Sequence, residues 1–493
     1  MAARFQRSAD ALVAAALGIG SFILLYVRYW VPGEKIFDEV YFARAAEEYL
    51  QRRYIYENTH PPVTKLLITL STMLFGGLPA GDTAWGWRFL GVVAGAIAVV
   101  LAFVLARHVT RSTLFGAHAA LLFAFDGMHF VQSRIATPET YVVCFSLATL
   151  YAFCRYWDAV SQAPPQALVP GSWIPRTLEA VAALVLASAF TLVRFGHETL
   201  PAKIVAAVLI AAVLYAAYGI ARRRPAGAGW LVAFAFAGGL LVASKWYGVM
   251  AYGVAAAVVA YASVRAWRSG LRSPFPLGLT VACVLAGIGI VYALAYVPHF
   301  IGLRDLQTLP PRPYTWSDIV EMQKNAYLYH STLSATHPYQ SVWWQWPFDL
   351  RPILYYANYG GSAAAPTAAM IYALPNPLIL WPGLVAVPFT AWLAYARRDR
   401  GYALVVLAIL MQWLPWMFSP RIAFAYHFYV DIPLIAICDT IAVQYLWQRG
   451  ERWMAPVFLA VAAAAFVWFY PILAAVPIPQ TWWHARMWLP SWY

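Results

Sequence analysis

The chain has 493 residues, 62% of them hydrophobic and only 11% charged, against about 25% charged in an ordinary soluble domain. That balance excludes a soluble globular domain and makes the chain a polytopic membrane protein. Lys and Arg number 34 against 21 Asp and Glu, a net charge of +13, which in such a chain is read as topology before nucleic-acid binding is considered.

The opening MAARFQRSAD precedes an apolar run from Ala11 to about Trp30, long enough at 1.5 Å per residue to cross a hydrocarbon core of about 30 Å. No small-residue cleavage site follows, so the run is expected to remain as an anchor. Next comes the densest ionisable stretch of the protein, residues 36 to 65. Phe42, Ala45, Ala46, Tyr49 and Leu50 recur at helical spacing, with Arg44, Glu47, Glu48, Gln51 and Arg52 on the other side. The pattern predicts a short amphipathic helix lying in the membrane interface, ended by a Pro-bound turn. Asp38 and Glu39 stand at its start. An N-cap with a second carboxylate favoured by the helix dipole accounts for one acid more readily than for two. The functional reading makes one of them a general base that takes a proton from a weakly nucleophilic hydroxyl.

Further apolar segments fall near 84–106, 112–126, 136–156, 179–194, 203–221, 229–243, 247–264, 277–298, 372–395, 402–418, 422–446 and 453–475. With the first they make about 11 to 13 transmembrane helices. With the N-terminus inside, each inner segment carries arginine: Arg4 and Arg7, Arg107 and Arg111, Arg155 and Arg176, Arg222 to Arg224, Arg265 to Arg272, Arg397 to Arg400, and Arg449 with Arg452. All five lysines, Lys35, Lys65, Lys203, Lys245 and Lys324, fall outside. The expected topology is therefore N-in and C-out. Two outer segments are long, Val31 to about Ala84 and Pro298 to about Ile371, and the Trp and Tyr content of the second places it on the membrane surface. Cys144, Cys154, Cys283 and Cys438 lie in or beside apolar spans without metal spacing. The inner loops are short and lack a nucleotide-binding pattern. One domain over 1–493 is the economical reading.

Charged and polar groups concentrate on the outer side. They include His60, Lys65, Arg88, Asp126, His129, Arg134, Glu139, His197, Glu198, Lys245, Arg421, His427 and Asp431. A charge at membrane depth costs at least about 2.5 kcal/mol, so each is a functional hypothesis. Each also has a plainer reading. Arg88 can snorkel to the interface or grip a phosphate in bidentate fashion; Arg134 with Glu139 can be a surface pair or a helix start in TPET; Lys245 can anchor a span end. Together they outline an outward cavity with a carboxylate and several cations. In the later loop His330 and His337 lack a tight ligand spacing, so no metal site is read there. Trp343, Trp344 and Trp346 suit an aromatic belt or a sugar platform. A lipid-borne phosphosugar fits this inventory: cations stabilise the leaving phosphate, a carboxylate activates the acceptor hydroxyl, and no nucleotide is needed.

FDEVYFARAAEEYL, THPPVTKLL, WRFLG, SRIATPET, HSTLSATHPYQSVWWQWPFDLRPILYY and RIAFAYHFY resemble, in order, the protein O-mannosyltransferases of glycosyltransferase family 39, with the GT-C fold. The resemblance spans most of the chain. It implies transfer of a sugar, usually mannose, from a polyprenyl phosphate to Ser/Thr hydroxyls of exported protein, with inversion. Carried over, it makes Asp38 the base, Glu39 the neighbour that positions substrates, and Arg88 a basic residue near the lipid phosphate. We assign Arg134, Lys245, Arg351 and Arg421 to the donor side. His60, Lys65, Glu139, His337, Trp343, Trp344, Trp346, Tyr426 and His427 are assigned to substrate binding. The chain has no room for the lumenal insert of the eukaryotic enzymes, so it looks like a bacterial form. Glu139 replaces an Asp and Thr64 a Gly of the family pattern.

The expected partners are the polyprenyl-phosphate donor, a Ser/Thr-containing polypeptide, membrane lipids and the protein-export machinery, with no nucleic acid. The sequence marks no cofactor and leaves a divalent metal open. The expected location is a bacterial plasma membrane, with the active site on the extracytoplasmic side. Two other readings stand beside this one. The same donor chemistry can serve a lipid or glycan acceptor, as in the aminoarabinose transferases. A transporter would instead place ionisable groups at the midplane of broken, repeated helices, whereas here they sit at the outer ends.

Overall fold

The computed structural model describes residues 2–169, 173–304 and 310–493, with side chains from residue 8 onward. Arg4 and Arg7, read above as the first inner basic segment, lie outside the described side chains. Contacts divide the chain into two compact units where the sequence suggested one domain. The first comprises Met1–Leu50, Thr64–Leu147 and Ser331–Tyr493, the second Gln51–Val63 and Ala148–His330.

In chain order the helices are α1 (Ala2–Tyr26), α2 (Glu39–Leu50), α3 (Val63–Leu74), α4 (Ala84–Thr110), α5 (Thr113–Ala124), α6 (Gly127–Gln132) and α7 (Glu139–Ser161). Next come α8 (Ile174–Arg194), α9 (Leu200–Arg223), α10 (Ala228–Val242), α11 (Val249–Arg268), α12 (Leu277–Ala295), α13 (Val297–Ile301) and α14 (Trp316–Thr332). Strands β1 (Ile353–Ser362) and β2 (Ala365–Ala373) precede α15 (Pro377–Arg397), α16 (Arg400–Trp413), α17 (Ile432–Trp447) and α18 (Met454–Leu473). A two-residue strand, β3 (Ile478–Pro479), and α19 (Gln480–His484) close the chain. Among the described residues nine helices are long and apolar enough to cross a membrane, and four shorter apolar ones, α3, α5, α10 and α17, accompany them. α3 lies inside the first outer segment, where no apolar helix was expected.

In the first unit α4 packs along α1 and α5, and α17 is gripped by α5, α15 and α16. Polar pairs gather the helix ends on one side. Asp10 forms an ion pair with Arg107 at 2.9 Å and accepts from the Thr113 hydroxyl, while Arg111 meets Asp399 at 2.8 Å and Gln444 donates to the Thr110 carbonyl. Arg88 lies at the opposite end of α4 from Arg107 and Arg111.

The second outer segment is not purely helical. After α14 a 3₁₀ helix spans Trp343–Phe348, and β1 and β2 then form an antiparallel hairpin, with β3 added to β2. Its turn needs Gly361, whose φ is 81° and where a Cβ would lie 2.2 Å from the Ala365 carbonyl oxygen. The register skips between Leu354 and Tyr356, so Tyr355 is the extra residue of a bulge, a device that re-aims a side chain.

In the second unit α12 packs on α9 and α10, and α8 on α9. Glu198, counted among the outer candidates, caps α14 by accepting from the Trp316 and Ser317 amides at 3.0 and 2.8 Å. α10 and α12 approach through glycine: a Cβ on Gly287 would lie 2.4 Å from the Ala235 carbonyl oxygen, and one on Gly239 2.7 Å from that of Gly287. Close backbone approach through small residues is how apolar helices associate when lipid competes for the same surface. Gly287→Leu should therefore cost about 1–3 kcal/mol by overpacking, read as a lowered thermal unfolding temperature in detergent. Gly229→Ala, where nothing lies within 4 Å of the added Cβ, should leave that temperature unchanged or slightly raised.

Candidate active site

The site grows from α2. Phe42, Ala43 and Ala46 of its apolar face are buried in one cluster with Ile68 of α3, Ala84, Trp87 and Ala94 of α4, and Ala136 and Tyr141. The apolar stripe of α2 is thus covered by protein. Glu48, assigned to the polar face, is also buried and accepts from Arg44 Nε at 2.7 Å.

The two acids at its start have different fates. Glu39 is fully buried against Arg88, also fully buried. Nε of Arg88 donates to Glu39 Oε1 at 2.7 Å and Nη2 to Oε2 at 2.6 Å. Its other protons go to the carbonyls of Tyr29, Pro32 and Glu34. Glu39 also accepts from the amides of Ala136 at 2.8 Å and Ile36 at 3.0 Å. All five guanidinium donors are used inside the protein, so Arg88 does not grip a donor phosphate. The role of Glu39 changes in the same way: it positions backbone, not substrate. Asp38, one residue earlier, is only partly buried, and its carbonyl accepts from the Tyr41 and Phe42 amides at the helix start.

Around Asp38 the first unit assembles a group of aromatic rings. Phe37 stacks on Tyr355 with centroids 4.2 Å apart and meets Tyr426 and His337 edge-on at 6.4 and 6.5 Å. Phe424 stacks on Tyr426 at 5.4 Å and meets the His337 ring at 5.3 Å. Gln132 donates to the Tyr355 hydroxyl at 2.8 Å and accepts from Thr137 through its amide oxygen. Burial, and then the charges of Glu139, Tyr426 and Asp38, push the Tyr355 phenol well above its usual range, so it stays neutral. Thus Asp38, Glu139, His337 and Tyr426 lie around the Phe37–Tyr355 stack. Phe37, Gln132 and Tyr355 join them and were not foreseen. Nothing in the sequence marks the bulge at Tyr355.

Other expected residues serve the scaffold. Trp346 is buried, donates to Ser341 and stacks on His427; Trp343 is half-buried and Trp344 exposed. Arg351 spends its guanidinium on the carbonyls of Pro338 and Ser491, which withdraws it from the donor side. Arg134 is buried, donates to the Val27 carbonyl and lies over the Phe130 ring. Lys65 is buried in the first turn of α3, and Arg421 is partly exposed two residues from Ala423, whose carbonyl accepts from Ser341. Within the second unit His60 bonds Glu57 at 2.8 Å and packs against His330, and Lys245 is buried over the Tyr247 ring. His330 donates to the Thr59 carbonyl there, whereas His337 belongs to the first unit. Among the described residues no three His, Cys, Asp or Glu side chains group as metal ligands.

Residues 15–169 match the family model described as dolichyl-phosphate-mannose-protein mannosyltransferase, and residues 315–492 match the C-terminal four-TMM region of protein O-mannosyltransferase. The chain belongs to the protein O-mannosyltransferase family. Relatives along nearly the whole length include the polyprenol-phosphate-mannose–protein mannosyltransferases of Mycolicibacterium smegmatis and Mycobacterium tuberculosis. The first is 29% identical over 93% of this chain and 88% of the relative, the second 27% over 93% and 87%. The fold is similar to that of the Saccharomyces cerevisiae Pmt1–Pmt2 complex bound to the sugar donor, with a TM-score of 0.69, 14% identity, and 98% of this chain and 92% of that chain covered. The GT-C class expected from the sequence is borne out, as an integral membrane protein. Both family models fall on the segments that build the site: the first holds Asp38, Arg88 and Glu139, the second His337, Tyr355 and Tyr426.

Removing one partner of a buried ion pair costs about 3–5 kcal/mol. Arg88→Met and Glu39→Gln should therefore each lower the unfolding temperature sharply, while the Glu39→Met/Arg88→Met double variant should fare better than either single. Asp349 is buried, with both carboxylate oxygens lacking a hydrogen-bond partner among the described residues. Burial, and then Asp126, hold its carboxyl well above the usual carboxylate range. The folded state therefore keeps a proton that the unfolded chain loses above about pH 3.8, and stability falls as pH rises beyond that point. Asp349→Asn should remove this dependence and raise the unfolding temperature at about pH 7.

Proposed function

We propose that this protein is a mannosyltransferase that moves mannose from a polyprenyl-phosphate carrier to Ser/Thr hydroxyls of exported protein, with Asp38 as general base. The observation that carries the reading is the contrast within one acid pair. Glu39 is consumed by Arg88 deep in the protein, while Asp38 is only partly buried and lies close enough to Tyr355 for its charge to act on that phenol. The two family matches and the mycobacterial relatives support the donor and the protein acceptor. In the transfer, Asp38 takes the acceptor hydroxyl proton, the hydroxyl oxygen forms the new bond to the sugar's anomeric carbon from the face opposite the phosphate, and the bond to the phosphate oxygen breaks, inverting the centre. Arg421 is the cation we assign to the phosphate leaving with its electron pair. The charge pattern supports an extracytoplasmic site in a bacterial plasma membrane, where the export machinery would present the acceptor.

The test is transfer from radiolabelled polyprenyl-phosphate-mannose to a Ser/Thr-rich peptide. Asp38→Asn should lower peptide labelling by about 10²- to 10⁴-fold with donor binding retained. Equal rates for variant and wild type would end the base assignment. Label passing to lipid or glycan, and never to peptide, would move the acceptor.

A further inference from the structure

Phe37, immediately before Asp38, has a φ of 47°, a left-handed conformation that glycine or asparagine adopts and that a large side chain with a Cβ resists. Local backbone preference therefore argues against phenylalanine here, and such outliers persist where surrounding structure over-determines them, often beside chemistry. The surrounding structure is a slot for the ring. Tyr355 lies flat against it at 4.2 Å and 24°, with Tyr426 and His337 at its edges. Tyr355 is held by the hairpin bulge and by Gln132, whose amide is oriented by Thr137. On the other side of Asp38 the chain is tied by Glu39, which accepts the Ile36 amide and grips Arg88.

We infer that Phe37 is a positioning residue for sugar transfer: its ring, seated on Tyr355, holds the strained backbone that aims the Asp38 carboxylate. Asp38 is bracketed by two anchors, an ion pair after it and an aromatic stack before it. Side chains of neighbouring residues are thus used to fix one carboxylate whose displacement by about 1 Å would cost about 10²-fold in rate. The inference rests on the reading of Asp38 as base.

The experiment uses the full-length protein in detergent, with polyprenyl-phosphate-mannose and a Ser/Thr peptide. Phe37→Gly and Phe37→Asn relieve the backbone and remove the ring. Both should keep the unfolding temperature and the donor KM within about two-fold while kcat falls about ten-fold or more. Phe37→Tyr should restore kcat to within about three-fold. Tyr355→Leu, which removes the other half of the stack, should reproduce the kcat loss, and it carries the test if the Phe37 variants do not fold. In an Asp38→Asn background Phe37→Gly should cause no further loss, because the two act through one group. Full kcat in Phe37→Gly with Asp38→Asn inactive would overturn this inference alone. Loss of stability or donor KM with kcat intact would make the ring merely structural and overturn it too. An Asp38→Asn variant as active as wild type would instead remove the base reading on which it stands.

Discussion

The structure around the site depends on one ion pair removed from water. A buried guanidinium and carboxylate are individually expensive, and their attraction offsets desolvation only when the remaining donors and acceptors are also satisfied. Arg88 and Glu39 meet that condition. The arginine gives its five protons to Glu39 and three carbonyls, and Glu39 takes two further amides from Ile36 and Ala136. The pair thereby joins the end of α1, the start of α2, α4 and the turn before α7. Each of those connections fixes where Asp38 can be.

A second constraint is supplied from far along the chain. The hairpin bulge turns Tyr355 toward Phe37, and the segment carrying Phe424 and Tyr426 closes on the same ring. Ser341 pairs its amide with the Ala423 carbonyl, so the loop bearing His337 and the segment bearing Tyr426 are one piece of structure. Rigid elements with locked partners are what the proposed base, Asp38, requires. Arg351 and Trp346 serve this rigidity: Arg351 clasps Pro338 and Ser491, and Trp346 stacks on His427.

The residues carrying the family resemblance were legible in the linear chain; apolar length made it a polytopic membrane protein, and the resemblance supplied the GT-C class. Their roles were less so. Arg88 and Asp38 both read as candidates for chemistry because a charge near a membrane signals function whether it contacts substrate or another charge. Only the distance to Glu39 separates the cases. α3 was missed because twelve residues are too few to register as a span, and Glu198 was overvalued because a helix cap leaves no local mark on an acid distant in sequence from the helix it caps.

By itself the sequence determined the features set by composition and short-range order: a chain that must reside in a membrane, helices of spanning length, the alternation of basic ends, and a short amphipathic helix opening on two acids. Tertiary structure decided which acid is consumed and which is presented, which cations are spent on carbonyls, and that Phe37 and Tyr355 meet. Those outcomes depend on contacts between residues separated by tens to hundreds of positions. Burial sets the energy of a charge or a strained φ, and burial is a property of the assembled chain.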